Sequence, residues 1–383
     1  MPANKVRFIF LLASVVIFSL LGYQWWPQPA TEFTIDSVSR PDSQQPLYHE
    51  QFISFPQAEI SAVHAASATM RQDGKIVVAW FSGSEEGASD VVIASTVIDP
   101  QNHVITPTRT IATRLQTETD TWRYIRKLGN PLLHQLTDGR LMLVYVSVSF
   151  GGWAASSLNV RFSDDGGQQW TPARRIVTSP FINISTLVKG KPVNLSNGDV
   201  AIPTYHELMG KFGELLIIDP HGRIKNKYRL SWGREAIQPS VVPLTTKDAI
   251  ALLRDSGEQH KRVALTRTDD YGKNWAPLAH LQLPNPNSAV AALMTPDNHI
   301  IMVFNNDEEE RNNLSMAVSS DQGQDWKVIH VLEDREPVPG KKIKYSYPYL
   351  IRGNNNDYHL FYTWQKERIK YVHFNDAWLR QRL

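Results

Sequence analysis

Three segments of the sequence share one eight-residue turn pattern, Ser/Thr-x-Asp-x-Gly-x-x-Trp, in the forms SDDGGQQW, TDDYGKNW and SSDQGQDW. The pattern positions are Ser163, Asp165, Gly167 and Trp170; Thr268, Asp270, Gly272 and Trp275; and Ser319, Asp321, Gly323 and Trp326. In such a turn the carboxylate accepts hydrogen bonds from backbone N–H groups, the glycine supplies a positive φ, and the tryptophan covers the edge of a sheet. We therefore assign these residues a structural role.

The spacing of the turns predicts the fold. Asp165 and Asp270 are 105 residues apart, and Asp270 and Asp321 are 51 apart. Six hairpin signals, rich in Asp, Asn and Gly, follow one another at intervals of about 49 to 65 residues. They lie at 73–74, 138–139, 197–198, 246–248, 297–298 and 354–356. A period of this length is typical of four-stranded propeller blades. We predict an all-β, six-bladed β-propeller.

Composition excludes several functions. With 40 Lys and Arg against 38 Asp and Glu, and no long basic run, nothing indicates a nucleic-acid partner. The chain has no cysteine, which excludes disulfides, thiol catalysis and cysteine metal sites. No cofactor is expected. No set of metal ligands stands out by its spacing, and the scattered Asp and Asn residues leave a structural calcium open.

The N-terminus differs from the rest. Lys5 and Arg7 precede the apolar run FIFLLASVVIFSLLGY, and two tryptophans follow it. This pattern predicts a signal anchor or transmembrane segment over residues 1–26, in contact with the membrane through 8–26. The propeller then lies outside the cytoplasm, in the periplasm or the extracellular space; secretion after signal cleavage is the alternative. Residues 27–58 are a linker that includes a possible blade-closing strand, 59–376 the propeller, and 377–383 a C-terminal tail.

Strand order predicts where the chemistry lies. First strands begin, and second strands end, at the end of the propeller opposite the hairpin turns. This end gathers ionisable and aromatic residues, as a glycan-processing site requires. The candidates are His64, Glu86, Asp90, Lys191, His206, Glu207, Gln238, Arg254, Arg311 and Tyr347.

The three turns resemble the Asp boxes of sialidases, which are six-bladed propellers. Over roughly residues 60–375 the chain is similar to the BNR-repeat group known as "predicted neuraminidase". The resemblance implies a glycosidase site in which three arginines clamp a sugar carboxylate. A tyrosine paired with a glutamate attacks the anomeric carbon in that family, and a loop aspartate is the acid/base. Tyrosine nucleophiles are an exception to the usual pair of carboxylates.

Several positions match this pattern. Arg254, in LLRDSG, corresponds to the second clamp arginine, and Arg311, which precedes an Asp box, corresponds to the third. Tyr347, in YPYL, resembles the nucleophile, with proline in place of the family's serine. Asp90 lies about where the acid/base belongs, with Glu86 as its rival. Arg254 and Arg311 are alternatively partners of nearby acidic residues, and Tyr347 a buried structural aromatic.

Two positions depart from the pattern. His64 replaces the first arginine, and Gln238 replaces the glutamate that activates the tyrosine. An amide cannot take a proton from tyrosine. Glu207, beside His206, is a candidate for the missing base, and Lys191 for a further contact to substrate.

These features predict a sialidase-like glycoside hydrolase, an exo-sialidase or related glycosidase, whose partner is an acidic oligosaccharide or glycoconjugate. One alternative is a hydrolase or lyase directed at uronic acids. The other is a glycan-binding propeller without turnover. A base able to reach Tyr347 would favour the enzyme over this binding role.

Overall fold

A computed structural model describes residues 11–12, 14–15, 31–35, 45–54, 61–179, 183–336 and 342–383. The described chain forms six antiparallel sheets of four or five strands. The innermost strands of neighbouring sheets pack on one another, and the last sheet packs on the first. The predicted all-β, six-bladed propeller is confirmed.

The first strand of the chain, β1 (Tyr48–Phe52), belongs to the last blade. Blade 1 contains β2 (Ala62–Met70), β3 (Ile76–Gly83), β4 (Val92–Asp99), β5 (Val104–Ile105) and β6 (Arg109–Ala112). Blade 2 contains β7 (Lys127–Gln135), β8 (Leu141–Val148), β9 (Ser156–Ser163) and β10 (Arg174–Ile176). Blade 3 contains β11 (Leu187–Val188), β12 (Val193–Asn194), β13 (Val200–His206), β14 (Phe212–Ile218) and β15 (Ile224–Arg229).

The remaining blades are regular. Blade 4 contains β16 (Ala236–Pro243), β17 (Ala249–Asp255), β18 (Arg262–Thr268) and β19 (Ala279–Pro284). Blade 5 contains β20 (Ala291–Met294), β21 (Ile300–Phe304), β22 (Asn313–Ser319) and β23 (Lys327–Asp334). Blade 6 contains β24 (Tyr345–Arg352), β25 (Asp357–Trp364) and β26 (Arg368–Asn375), with β1 as its outer strand.

The burial of the strands follows their place in the blade. Every residue of β3 and of β8 is buried, because second strands are covered by a blade on each side. Their sequences, IVVAWFSG and LMLVYVSV, are therefore continuous apolar runs without alternation. In the outer strand β23 half of the residues are exposed and none is buried. The hydrophobic core lies between the blades.

The hairpin turns and the Asp boxes lie at one end of the propeller, which we call the turn face. All six predicted hairpin turns join a first strand to a second strand, and each Asp box joins a third strand to a fourth. The opposite end, where first strands begin and second strands end, is called the site face. The predicted division of the two ends is thus present in the structure.

Each Asp box is a closed local network. The Asp165 carboxylate accepts hydrogen bonds from the backbone N–H groups of Gln168 and Gln169, both at 2.9 Å, and from the Ser163 hydroxyl at 2.8 Å. The Trp170 indole N–H donates to the Gly167 carbonyl at 3.2 Å. The other two boxes repeat the same tryptophan bond, at 2.9 and 3.2 Å. These contacts are structural in kind and lie at the turn face.

The ring is closed by β1, which pairs in antiparallel register with β26, Tyr48 opposite Phe374. A segment that precedes the propeller in sequence therefore completes the blade built from its C-terminal end. Two short α-helices are described besides the sheets, α1 (Arg114–Thr121) and α2 (Asp376–Arg380). Helix α2 lies in the predicted tail and buries Trp378.

The predicted anchor over residues 8–26 lies almost wholly outside the described residues. Only residues 11–12 and 14–15 of it are described, and they are helical. In the described part of the chain, no helix is long and apolar enough to cross a membrane. The anchor and the location outside the cytoplasm stay predictions.

Candidate active site

A cavity of about 480 Å³ opens on the site face. Five of the predicted site residues line it. These are His64, Glu86, Arg254, Arg311 and Tyr347. Cavities of about 370 to 520 Å³ lie elsewhere, but their walls hold turn-face residues and no predicted catalytic residue. The site-face cavity is therefore the candidate active site.

Bulges in the innermost strands aim side chains at this end of the molecule. Ala65, Asn130, Gln238 and Tyr347 each have a positive φ, between 37° and 56°. Each lies at a register shift between the first and second strands of its blade. A positive φ is unfavourable for Ala, Gln and Tyr, though asparagine tolerates it, and such strain is often found at functional sites. The same local device thus turns a residue toward the site face in blades 1, 2, 4 and 6.

The Tyr347 side chain is surrounded by three different blades. Its hydroxyl accepts a hydrogen bond from the Gln238 side-chain amide at 3.2 Å. Its ring meets the His64 ring edge to face, with 4.4 Å between the centroids. The Lys189 ammonium lies 5.6 Å from the ring centroid. The phenol is therefore held by neighbours on several sides while it lines the cavity.

Gln238 links the tyrosine to an arginine. Arg254 donates to its amide oxygen at 3.1 Å, and its amide nitrogen donates to the hydroxyls of Tyr205 and Tyr347, both at 3.2 Å. The arginine thereby fixes the amide with its nitrogen toward the tyrosines. The amide nitrogen thus donates a hydrogen bond to the phenol oxygen and accepts no proton from it.

Asn287 holds the two predicted clamp arginines beside each other. Arg254 Nε donates to its side-chain oxygen at 2.6 Å, and Arg311 donates to its backbone carbonyl. Burial, together with the charge of Arg254, lowers the pKa of Arg311 to about 10. Both guanidinium groups are thus charged at neutral pH and repel each other, so an anion bound by both is stabilised.

Glu86 and Asp90, the two acid/base candidates, lie in different surroundings. Glu86 lines the cavity and accepts a hydrogen bond from Lys366 at 2.8 Å. Burial acts to raise its pKa, but the hydrogen bond and the charge of Lys366 act in the opposite direction, and the pKa lies below its usual value. Asp90 accepts bonds from the backbone and hydroxyl of Ser84, at 3.0 and 3.1 Å, and is not in the cavity wall.

His64, at the position of the family's first arginine, is a neutral group. Burial lowers its pKa to about 3. Its Nδ1 shares a hydrogen bond of 2.8 Å with the Thr363 hydroxyl. The cations on this side of the cavity are instead Lys342, Lys344 and Lys366.

Glu207 and His206 lie at the end of β13. Burial raises the pKa of Glu207, against the opposing charges of Arg254 and Lys211. The His206 ring stacks on Phe212, with 4.9 Å between the centroids. Of this pair, Glu207 is the one coupled to the site.

Lys191 lies in a different cavity, with His134 and the ends of inner strands near the turn face. The lysine that reaches the site is Lys189, two residues earlier. Lys189 is buried, and its ammonium donates to the Pro348 carbonyl at 2.9 Å. Burial lowers its pKa to about 7.

Four further residues support the site, namely Asn130, Lys189, Tyr205 and Asn287, and sequence reasoning missed Asn130 and Lys189. One signal was available for the first of them. Asn130, Gln238 and Tyr347 are each followed by proline, in the same place of an inner strand. Read together, these three dipeptides mark the bulged positions. No comparable pattern marks Lys189.

Comparisons with known proteins place this geometry in a family. A family model described as a BNR repeat-like domain matches residues 74–360, three quarters of the chain. A search of curated protein sequences gives no match.

Solved structures share the fold at low identity. A Hadza microbial sialidase superposes with a TM-score of 0.68 at 14% identity, over 84% of this chain and 66% of that one. The NanB sialidase from Streptococcus pneumoniae superposes with a TM-score of 0.66 at 10% identity, over 85% and 70%. An α-L-arabinanase from Penicillium chrysogenum superposes with a TM-score of 0.62 at 14% identity, over 89% of this chain and 100% of that one. This chain thus spans about two thirds of each sialidase's length. The superpositions show a shared fold, and from the family match the chain belongs to the BNR repeat-like family.

Proposed function

We propose that this protein is a glycoside hydrolase that acts on glycans bearing an acidic sugar, a sialic or a uronic acid. The observation that carries the proposal is that Arg254, Arg311 and Tyr347, from three different blades, line one cavity. Asn287 holds the two guanidinium groups at the cavity, guanidinium groups are the usual partners of carboxylates, and the phenol lines the same space.

In the proposed reaction, the sugar carboxylate binds between Arg254 and Arg311. Tyr347 is the nucleophile: its oxygen bonds to the anomeric carbon as the glycosidic C–O bond breaks, the phenolic proton passes to solvent in the open cavity, and the leaving group takes up a proton from solvent. Water then hydrolyses the covalent glycosyl intermediate, which releases the sugar and restores the phenol. A phenol suits an acidic sugar because a carboxylate nucleophile is repelled by the carboxylate of the substrate. Gln238 contributes by donating its amide N–H to the phenolate that forms.

Glu86 is the proposed acid/base, in preference to Asp90. It lines the cavity, whereas Asp90 holds its own loop through Ser84. Its depressed pKa makes it an ionised carboxylate at neutral pH, ready to accept a proton but weak as an acid. We therefore expect the best substrates to be those whose leaving group needs little protonation.

A glycan-binding role without turnover is the second candidate. It is favoured by Gln238, which occupies the place of a proton acceptor at Tyr347 and cannot serve as one. Among the described residues, no carboxylate forms a hydrogen bond with the Tyr347 hydroxyl. Binding of the same sugars by the same arginines is expected in both cases.

The test is turnover of aryl glycosides and natural oligosaccharides of sialic and uronic acids. Tyr347→Phe is expected to lower kcat/KM at least about 1000-fold, and Arg254→Ala about 100-fold, chiefly through KM. The matched controls are Tyr228→Phe, in an outer strand, and Arg267→Ala, whose guanidinium donates to the Gln322 carbonyl at the turn face. Both controls are expected to keep wild-type kinetics.

Turnover that survives Tyr347→Phe and Arg254→Ala would overturn the assigned site. Binding without turnover across the panel, lost in Arg254→Ala, would favour the glycan-binding role. If the protein neither binds nor turns over any acidic sugar, the proposed substrate class is overturned.

A further inference from the structure

A second cluster of polar side chains lies in blade 6, at the turn face. Asp357 begins β25, His359 follows two residues later on the same side of the strand, and His373 lies opposite His359 on β26. One ligand atom from each residue lies within 4.8 Å of the others. Six residues of β25, about 20 Å, separate Asp357 from Thr363, the partner of His64 in the candidate active site.

The distances between these atoms match a metal coordination shell. Asp357 Oδ2 is 2.8 Å from His373 Nε2 and 3.3 Å from His359 Nε2. Zinc–ligand distances of about 2.0 to 2.2 Å place neighbouring ligand atoms of a tetrahedral ion about 3.3 Å apart. A single ion can therefore contact all three atoms after small rotations of the side chains.

Burial makes the cluster costly without a ligand. The His359 and His373 side chains are 0% and 6% exposed, and that of Asp357 is 13% exposed. His373 Nδ1 is buried without a hydrogen-bond partner among the described residues, and His359 Nε2 has only the Asp357 carboxylate, 3.3 Å away and without the alignment of a hydrogen bond. Buried imidazole nitrogens usually have a hydrogen-bond partner or bind a metal, because an unsatisfied polar atom costs free energy.

The surroundings of His359 are those of a metal ligand. Its other nitrogen, Nδ1, is 2.9 Å from the Tyr371 hydroxyl, the kind of outer contact that orients a coordinating imidazole. Gly353 closes over the cluster: a Cβ at that position would lie 2.6 Å from His359 Nε2 and would overlap Asp357 Oδ1. The backbone therefore approaches the ligand atoms as closely as a glycine permits.

The cluster is open to solvent on one side. Asp357 and His373 line a cavity of about 520 Å³ together with His103, from the β4–β5 turn of blade 1. The His103 ring lies 5.7 Å from the His373 ring and 3.8 Å from the His49 ring of β1. An ion thus has a path of entry, and further imidazoles are close to its open side.

We propose that Asp357, His359 and His373 bind one divalent transition-metal ion, with Zn²⁺ as the representative. Two imidazoles and one carboxylate favour zinc and its neighbours over calcium or magnesium, which prefer sets of oxygen ligands. The three ligands leave at least one coordination position facing the cavity. His103 is the nearest candidate for a fourth ligand.

The test uses the full chain without an affinity tag, stripped with a chelator and dialysed against Zn²⁺, with bound metal counted by mass spectrometry. We expect one zinc per chain, and a rise in Tm with zinc because the folded state alone presents the assembled ligands. Substitution with Co²⁺ is expected to give the intense visible absorption of a four- or five-coordinate site. Asp357→Asn and His373→Gln are expected to weaken zinc binding at least about tenfold.

The matched control is the double variant His260→Gln/His280→Gln. These two histidines stack at 3.9 Å but are exposed at the site face of blade 4. The control is expected to keep its zinc. Loss of zinc in the control but not in Asp357→Asn, or no bound zinc in the wild-type chain, would overturn the proposal. If His373→Gln does not fold, the proposal is tested with the nearly isosteric Asp357→Asn and with the Co²⁺ spectrum of the wild-type chain. A pale spectrum, typical of six-coordinate Co²⁺, would overturn the proposal.

Discussion

The Asp boxes of the turn face and the candidate active site of the site face satisfy their polar groups in different ways. At the turn face, the Asp165 carboxylate bonds only to groups within four residues of itself. At the site face, the bonds of Gln238 to Arg254, Tyr205 and Tyr347 span 16, 33 and 109 residues, and that of His64 to Thr363 spans 299. Local sequence is sufficient for the first kind of contact, whereas the second exists only after the ring of blades has closed.

The two faces also differ in what they contribute to stability. The Asp boxes place carboxylates where they accept several backbone N–H groups, which stabilises the turns. The site face holds strained backbone at Gln238 and Tyr347 and the buried Lys189. Binding sites are commonly built at the expense of stability. The following three substitutions test this contrast.

The largest effect is expected from Lys189→Met, which removes a buried charge at similar volume. Its pKa of about 7 lies below the usual 10.5, so the folded state binds the proton less tightly than the unfolded state. The destabilisation of the folded state by the buried ammonium is fully present below pH 7. It is relieved as the pH rises from about 7 to 10.5, so the free energy of unfolding of the wild type rises over this range. At pH 7 we expect the free energy of unfolding of the variant to be about 3 kcal/mol higher than that of the wild type, once the lost hydrogen bond to Pro348 is subtracted. The variant is also expected to show no rise in this free energy between pH 7 and 10.5.

Urea unfolding between pH 6 and 10 measures both the free energy of unfolding at pH 7 and its dependence on pH. Lys225→Met, at an exposed position of β15, is the matched control and is expected to change neither. A Lys189→Met variant that is less stable than the wild type at pH 7 would contradict the contrast between the faces.

The next effect is expected from Gln238→Glu and depends on the proposed function. A carboxylate at this position still accepts from Arg254, 3.1 Å away, and is also able to take the proton of Tyr347. We expect kcat on an aryl glycoside of an acidic sugar to rise about 100-fold. Gln324→Glu, the same change at the turn face, is the control. An unchanged or lower kcat in Gln238→Glu argues against Tyr347 as a nucleophile limited by its base.

The smallest effect is expected from Asp165→Ala at the turn face. Loss of its backbone hydrogen bonds is expected to lower the free energy of unfolding by about 1 kcal/mol, with sugar binding unchanged. Those bonds hold the Asp165 pKa below its usual value, with the bond from Gln169 the largest contribution. The stabilisation is therefore present above about pH 4 and is lost as the pH falls through the folded-state pKa.

Thermal unfolding of the wild type and the variant at pH 3 and pH 7 measures this difference, which is expected to shrink at the lower pH. Asp164→Ala alters the neighbouring, exposed aspartate outside the pattern and serves as the control. Equal losses in both variants would show that the Asp-box contacts add nothing specific.

Much of the fold was predictable because its determinants are short-range. The six hairpin turns and three Asp boxes depend on residues that favour positive φ or accept backbone bonds within a few positions. Helix α1 was not predicted, since its sequence, RLQTETDT, is polar and has no apolar stripe. Its N-cap, Thr113, accepts from the Gln116 N–H at 3.1 Å and was the available signal.

The candidate site was predictable only in part. Arg254, Arg311 and Tyr347 were expected at one face from strand order, and the structure brings them to one cavity. The choice between Glu86 and Asp90 depended on the path of one loop, and the choice between Lys189 and Lys191 on where β11 ends. The metal-ligand cluster was missed because Asp357 and His359 meet His373 only through the register of β25 and β26.

By itself, the sequence determined the number of blades, the turn face and the family, because repeated turn residues act on the backbone next to them. Only the tertiary structure decided that Gln238 bridges Arg254 to Tyr347, that Lys189 lies buried beside the phenol, and that three ligands of blade 6 converge. The physical reason is distance along the chain. Contacts between blades depend on ring closure and strand register, and no pattern within a single blade specifies either.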